Sequence, residues 1–209
     1  MENLFTIGHS THEQSALIRL LQMHGVTAVA DVRSNPFSAR LQQFNKPVLD
    51  KALDEWGIRY MFLGKELGAR RDEQHCYVDG QARYDRIAQT PAFTEGLKRV
   101  LNGLESYRIA LLCAEKDPIT CHRTILVCRH LRRAGVTINH ILVDGSLEPH
   151  HAAEARLREQ LGLHQPSLFE TPEQQLEEAY DRQGLKIAYR AGTSEDEARD
   201  VDGLHIEHL

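Results

Sequence analysis

Short apolar runs alternate with amphipathic stretches along most of the chain. The apolar runs predict five strands, at residues 3–7, 26–32, 58–63, 107–114 and 136–143. The stretches between them predict helices at residues 13–24, 47–56, 91–105 and 120–134. Strands that alternate with helices are typical of a parallel sheet covered on both faces. We therefore expect an α/β fold, with a single three-layer domain over residues 1–148 and a mainly parallel sheet of about five strands.

Two regions depart from this alternation. Residues 64–83 are rich in charge, glycine and tyrosine and have no clear period, which predicts a long functional loop with room for short helices. Beyond Pro149, helical patterns at 150–162 and 172–183 predict a helical extension over residues 149–209. The end of the chain, from Ala191, is acidic and poor in apolar residues, so we expect it to be mobile.

Clusters of reactive and charged residues follow several of the predicted strands. His9 and Ser10 follow the first strand, and Asp31 and Arg33 end the second. Lys65 and Arg70 come after the third strand, and the segment 115–123 comes after the fourth. Parallel sheets bind ligands just outside the carboxyl ends of their strands, so we expect these clusters to converge on one site.

The segment 113–123 carries the strongest chemical signal. Pro118 cannot continue a strand, and Thr120 is a good N-cap for the helix that is predicted to follow. The N–H groups of residues 121–123 would then favour an anion, and Arg123 would add a two-pronged contact to phosphate. The same setting would lower the pKa of the Cys121 thiol and make it nucleophilic. The alternative is a small buried cysteine.

Two carboxylates and one histidine are candidates for proton transfer. Asp31 and Glu115 would serve as general base and acid, or each would only orient a nearby arginine. His9 follows a glycine that lets backbone approach a ligand, and it would act as acid or base or bond a neighbouring loop. The predicted catalytic residues are His9, Asp31, Glu115 and Cys121.

Basic side chains in the loops after the predicted strands are mixed with aromatic residues. This mixture predicts a phosphorylated ligand whose base or ring stacks on an aromatic side chain. The alternative is ordinary solvated loop charge. Phe37, Phe44 and Tyr77 lie among these cations and Arg40 is close by. The predicted phosphate-binding residues are Ser10, Arg33, Lys65, Arg70, His122 and Arg123.

Composition narrows the possible classes of protein. The net charge of −5 argues against a uniformly basic protein that coats nucleic acid, but it allows a local basic crevice. The four cysteines show no CxxC spacing, so we expect no disulfides, and Cys113 and Cys128 are expected in the core. Cys113, Cys121, His122 and His9 match no usual zinc pattern, so no metal site is predicted and any cofactor stays unknown. No apolar stretch would cross a membrane and no signal peptide is evident. The absence of a disulfide pattern among the cysteines predicts a reducing, cytoplasmic setting.

A short peptide in the extension indicates a protein partner. Gln165, Leu168 and Phe169 resemble the motif by which many bacterial replication and repair proteins bind the DNA sliding clamp. Two apolar anchors would fill a pocket while the glutamine fixes the register. The alternative is a loop that packs both apolar side chains onto the domain.

The segments 6–10, 31–36, 60–68 and 113–123, taken in order, resemble one bacterial and archaeal family, catalogued as domain of unknown function 488. The resemblance covers roughly residues 1–145 and implies an α/β domain whose activity is open. His9, Asp31, Arg33, Glu115 and residues 121–123 stand at its signature positions.

The leading hypothesis is an enzyme, a hydrolase or transferase, that acts on a nucleotide or nucleic acid. The first alternative is a non-enzymatic module that associates with nucleic acid and is recruited to the sliding clamp. The second alternative is thiol or sulfur-transfer chemistry at Cys121.

Overall fold

A six-stranded sheet forms the centre of the computed structural model, which describes residues 3–167 and 169–191. Its strand order is β3-β2-β6-β1-β7-β8, and a separate two-stranded hairpin pairs β4 with β5. The strands are β1 (Asn3–Gly8), β2 (Ala28–Asp31), β3 (Arg59–Phe62), β4 (Tyr77–Val78), β5 (Gln81–Ala82), β6 (Ile109–Cys113), β7 (Thr137–Ile141) and β8 (Leu147–Pro149).

Helices cover both faces of this sheet. They are α1 (Gln14–Met23), α2 (Lys46–Asp54), α3 (Gly64–Leu67), α4 (Tyr84–Ile87), α5 (Pro91–Leu104), α6 (Arg129–Arg133), α7 (His150–Gln160) and α8 (Pro172–Ile187). A π-helical segment, Arg123–Cys128, leads directly into α6. No helix in the described part of the chain is long and apolar enough to cross a membrane.

The predicted α/β fold is confirmed, with one strand of the central sheet missed, and the expected loop at residues 64–83 contains α3 and the β4–β5 hairpin. The five expected strands β1, β2, β3, β6 and β7 pair in parallel. The sixth, β8, pairs antiparallel with β7 at the sheet edge after a turn in which Gly145 has a φ of +85°. Three residues that end in proline are too few to show a strand period, so the sequence pattern predicted no strand there.

The core consists of two apolar layers, one on each side of the sheet. One layer joins β-strand side chains such as Phe5 and Leu112 to α1 and α2. The other joins Leu4 and Leu111 to α5, the π-helical segment, α7 and α8. Alternate residues of the same strand therefore enter different layers, as expected for a sheet buried on both faces.

The C-terminal helices share the core of the α/β domain. Leu157 of α7 and Leu176 and Tyr180 of α8 are buried in the second layer. The expected boundary between residues 148 and 149 falls inside β8. The acidic end that was expected to be mobile, from Ala191, lies beyond the described residues except for Ala191 itself.

A buried row of hydrogen bonds links α8 to β1. Thr6 Oγ1 lies 2.7 Å from His140 Nδ1, His140 Nε2 lies 3.0 Å from His150 Nδ1, and His150 Nε2 lies 3.0 Å from the Tyr180 hydroxyl. Tyr180 in turn donates to Glu154 at 2.7 Å. Because the Tyr180 proton goes to Glu154, the Tyr180 oxygen accepts from His150 Nε2, and His150 Nδ1 in turn accepts from His140 Nε2. His140 Nδ1 then accepts from the Thr6 hydroxyl. Each imidazole therefore carries one proton and is neutral.

Candidate functional site

A cavity of about 710 Å³ opens at the carboxyl ends of β1, β2 and β6. The clusters after these strands meet there, as the sequence predicted from the parallel topology. The segment 33–45 forms one wall, and Cys113, Glu115 and His122 line the opposite side, which we call the floor. The site therefore lies where open α/β sheets usually bind their ligands.

Four side chains converge at this floor, and we call Cys113, Glu115, Cys121 and His122 the floor cluster. One donor atom from each lies within 4.8 Å of all the others. The thiols of Cys113 and Cys121 both donate to Glu115 Oε2, at 3.0 and 2.9 Å. His122 Nδ1 lies 3.5 Å from the Cys113 sulfur. Two thiols, a carboxylate and an imidazole thus form one contiguous group.

The local backbone differs from the predicted cap at Thr120. Asp117, not Thr120, caps the short 3-10 turn Pro118–Thr120 by accepting the Ile119 N–H. Cys121 is extended, its carbonyl accepts from Ile125, and its sulfur accepts the N–H of Arg123 at 3.4 Å. Cys121 therefore occupies the N-cap position itself, since N-cap side chains accept N–H groups from the first helical turn.

The environment of the floor cluster changes the pKa of each of its members. Burial opposes ionisation of the Cys121 thiol, but the neighbouring Cys113 thiol and the charge of Arg123 outweigh burial and lower its pKa. Burial and the Cys121 sulfur hold the pKa of Cys113 well above its usual value. Burial would raise the pKa of Glu115, but His122 and the two thiols lower it to about 2.

The orientation of His122 is fixed from outside the floor cluster. Its Nε2 lies 2.9 Å from the carbonyl oxygen of Val32, which accepts only if Nε2 carries the proton. In the neutral ring Nδ1 is then an acceptor that faces Cys113. Burial opposes the charged form of His122, but Cys121 and Glu115 outweigh that effect and raise its pKa.

Arg123 lies beneath the site and does not line the cavity. Its side chain is fully buried and donates to the carbonyl of Glu115 at 2.7 Å, with a longer contact to Thr6 at 3.3 Å. A Cβ on Gly8 would lie 1.8 Å from that same Glu115 carbonyl oxygen. The glycine that was expected to let a ligand approach instead allows close packing of two chain segments. Arg123 is placed to shape the floor of the cavity.

Asp31 and Arg33 form a buried, two-pronged ion pair. Arg33 donates from Nε and Nη2 to the two Asp31 oxygens at 2.9 and 2.5 Å, and also to the Phe44 carbonyl. Tyr60, which the sequence reasoning missed, donates to Asp31 at 2.7 Å. Arg33 lines the cavity with its charge compensated by Asp31. This geometry matches the alternative in which Asp31 orients an arginine.

His9 stacks on Phe44, with ring centroids 4.4 Å apart. Its Nδ1 lies 2.9 Å from the Ser10 carbonyl, and its Nε2 lies 3.3 Å from Arg33. Burial lowers the pKa of His9 to about 4, so the ring is neutral near pH 7 and accepts from Arg33. Ser10 adopts a φ of +47°, a strained conformation that is frequent at functional sites.

The other predicted cations are divided between the cavity and the surface. Arg70 lines the cavity and lies over the Tyr189 ring at 4.2 Å, and Arg40 lines the cavity from the opposite loop. Lys65 is exposed on α3, outside the lining residues. Arg40, noted only as a neighbour of the predicted site, is thus closer to the cavity than Lys65.

Cys113 is the functional candidate that sequence reasoning placed in the core. It is 2% exposed, as a core residue would be, yet its thiol belongs to the floor cluster. Its position at the last residue of β6, two residues before Glu115, was the available signal. A cluster of this kind can act as a nucleophile, transfer protons or ligate a metal ion.

The predicted clamp motif lies in the segment that joins α7 to α8. The Phe169 side chain is 93% exposed, and the Gln165 side chain contacts the neighbouring His164. Leu168 lies outside the described residues. Phe169 does not pack onto the domain, and clamp binding stays a prediction.

A model of the family described as domain of unknown function DUF488 matches residues 14–130, more than half of the chain. No curated protein and no solved structure matches the chain. The chain therefore belongs to the DUF488 family.

Proposed function

We propose that this DUF488 family member is an enzyme that acts on a phosphate-bearing substrate, a nucleotide or nucleic acid, bound in the cavity above the floor cluster. The observation that carries the proposal is the charge of the cavity wall. Three arginines line the cavity, Arg33, Arg40 and Arg70, against the single carboxylate of Glu115. The whole chain has a net charge of −5, so this local excess of positive charge runs against the average.

The arginines differ in what they offer a ligand. Asp31 compensates Arg33, which leaves Arg40 as the principal anion contact, and Arg70 lines the same cavity. Arg70 is held over the Tyr189 ring, and its backbone N–H donates to Ser34 at 2.9 Å. A guanidinium that is already oriented loses less freedom when it binds a phosphate.

The size and lining of the cavity suit a nucleotide. Its volume of about 710 Å³ lies within the usual range for small-molecule sites. Phe37 lines the cavity and is 48% exposed, so a base or ring can stack against it. The loop that carries Phe37 is anchored because Ser38 N–H donates to Asn45 at 2.6 Å.

The chemistry is assigned to the floor cluster. Cys121 at the helix N-terminus is the candidate nucleophile, and the Glu115 carboxylate, which accepts from both thiols, orients them beside the cavity. Asp31, His9 and Arg123 hold the surrounding loops and are positioning residues. The reaction class is hydrolysis or group transfer.

Replacing Arg40 with alanine tests the binding half of this proposal. Arg40 is exposed on its loop, so the change removes one anion contact and leaves the core intact. A thermal-shift screen of the wild type against inorganic phosphate, nucleotides and short DNA and RNA should identify one stabilising class. Calorimetric titration with that ligand should then show binding roughly tenfold weaker in Arg40→Ala.

Arg19→Ala is the matched control. It removes the same charge from an exposed position on α1 that does not line the cavity. Its affinity should equal that of the wild type. If no phosphate-bearing ligand stabilises the wild type, or if both variants bind equally, the cavity is not the proposed site.

A further inference from the structure

We propose that the floor cluster binds a zinc ion, with Cys113, Cys121 and His122 as ligands and Glu115 as the fourth, exchangeable ligand. This inference goes beyond the proposed function, because with zinc bound the Cys121 thiolate is a ligand of the ion and not a free nucleophile. Two sulfurs, one imidazole nitrogen and one carboxylate oxygen are donors that proteins use for tetrahedral zinc. The thiolates favour a soft ion over magnesium or calcium, which prefer oxygen. The sequence spacing had pointed to no metal site.

The distances within the floor cluster are close to those of a tetrahedron. Zinc–sulfur and zinc–nitrogen bond lengths place neighbouring ligand atoms about 3.6 Å apart. The Cys113 sulfur and His122 Nδ1 are separated by 3.5 Å. The two sulfurs lie 3.0 and 2.9 Å from Glu115 Oε2, and no pair of donors exceeds 4.8 Å. Small side-chain rotations would complete the coordination sphere.

Hydrogen bonding alone does not account for this convergence. Thiols are weak donors, and two of them share a single carboxylate oxygen. That arrangement gains little energy in return for the removal of the two sulfurs from water. A divalent ion would replace these weak contacts by four strong bonds.

The surroundings of His122 match those of a metal ligand. Ligating histidines usually donate their other ring N–H to a carbonyl or carboxylate, which fixes the ring. The Val32 carbonyl, outside the floor cluster, lies 2.9 Å from His122 Nε2. The lone pair of Nδ1 is thereby directed at the position where the ion would lie.

The charges of the ligands and of Arg123 also fit a bound divalent ion. Each protonated thiol releases its proton to solvent when its sulfur bonds the ion. Two thiolates and one carboxylate then exceed the charge of a divalent ion by one. The fully buried guanidinium of Arg123, which donates to the backbone carbonyl of Glu115 beneath the floor cluster, supplies the missing positive charge.

The position of each ligand suggests which one exchanges. Cys121 is 1% exposed and Cys113 is 2% exposed, whereas Glu115 is exposed at the cavity. Catalytic zinc sites keep three protein ligands and one position that water or substrate can occupy. The geometry thus gives zinc a place at the floor of the cavity, with Glu115 at the exchangeable position.

Metal analysis of the purified full chain tests this inference. The protein would be produced with zinc supplementation and purified without chelators. The wild type should contain about one zinc ion per chain, and Cys121→Ala should retain less than roughly a tenth of that. Cys128→Ala is the matched control, because Cys128 is a buried cysteine outside the floor cluster and should leave the zinc content unchanged.

Two further measurements keep the inference falsifiable if Cys121→Ala fails to fold. Exchange of the wild type with cobalt should produce the absorption of sulfur-to-cobalt charge transfer. Glu115→Gln alters an exposed side chain and should weaken zinc binding by roughly tenfold or more in competition with a chelator. Substoichiometric zinc in the wild type, no charge-transfer band, or equal zinc affinity in Glu115→Gln would overturn it.

Discussion

Replacing Arg123 with methionine should lower the free energy of unfolding by about 4 kcal/mol. Arg123 is fully buried and donates to the carbonyl oxygens of Glu115 and Lys116. Methionine fills a similar volume and removes the cost of burying a charge. It also leaves these two part-buried carbonyls and the buried Thr6 hydroxyl without their donor, and each buried acceptor that is left unpaired costs about 1–3 kcal/mol. Urea unfolding monitored by circular dichroism would measure the difference.

Two variants make the Arg123 prediction specific. Arg108→Met also removes a guanidinium that donates to a backbone carbonyl, that of His24, but Arg108 is exposed. Arg108→Met should lower the free energy of unfolding by less than about 1 kcal/mol, since water replaces the lost donor. Arg123→Lys keeps the charge without the planar fork and should fall between wild type and Arg123→Met. Equal stability of Arg123→Met and the wild type would show that the contacts of Arg123 do not hold the floor.

Acidification from pH 7.5 to pH 5.0 should destabilise the protein by about 2 kcal/mol through His150 alone. Burial lowers the pKa of His150 to about 4, below the value of 6.5 that it regains on unfolding. The unfolded chain therefore binds more protons between these two values. Stability contributed by neutral His150 is complete above pH 6.5 and falls as the pH drops towards 4. Burial and His150 also lower the pKa of His140, which acts in the same direction.

The physical reason is the one-way row of hydrogen bonds between Thr6 and Glu154. A proton added to His140 Nδ1 or His150 Nδ1 removes an acceptor that the row requires. In His150→Gln the loss of stability between the two pH values should be smaller by about 2 kcal/mol. The control is His151→Gln, an exposed neighbour that should keep the wild-type pH dependence. An unchanged pH dependence in His150→Gln would refute the assignment.

The order of the central strands and helices could be predicted because it depends on local patterns. Apolar runs marked β1 and β6, and glycines marked helix ends, so each element was visible within its own residues. The short edge strand β8 was not visible, because pairing with β7 and not its own pattern makes it a strand. The π-helical segment was likewise read as an ordinary helix, since both share an apolar face.

The candidate site was predictable in place but less so in its contacts. Parallel topology brought the right strand ends together, which is why Glu115, Cys121 and His122 were found. The sequence could not show that Arg123 turns beneath the floor or that Asp31 pairs with Arg33. Cys113 was assigned to the core because it belongs to an apolar strand. Its thiol is indeed buried, but as the last residue of that strand it also reaches the site. Such distinctions depend on side-chain direction, which no spacing specifies.

Chemistry on a phosphate-bearing substrate is assigned to the floor cluster, so loss of a floor-cluster thiol should abolish turnover. The most direct measurement uses the nucleotide or oligonucleotide that stabilises the wild type in the thermal-shift screen. Its conversion is monitored by mass spectrometry with wild type, Cys121→Ala and Cys128→Ala. We expect turnover by the wild type and by Cys128→Ala, and at least about a hundredfold loss of turnover in folded Cys121→Ala. Equal turnover by the two cysteine variants, or a bound ligand that the wild type never converts, would contradict it.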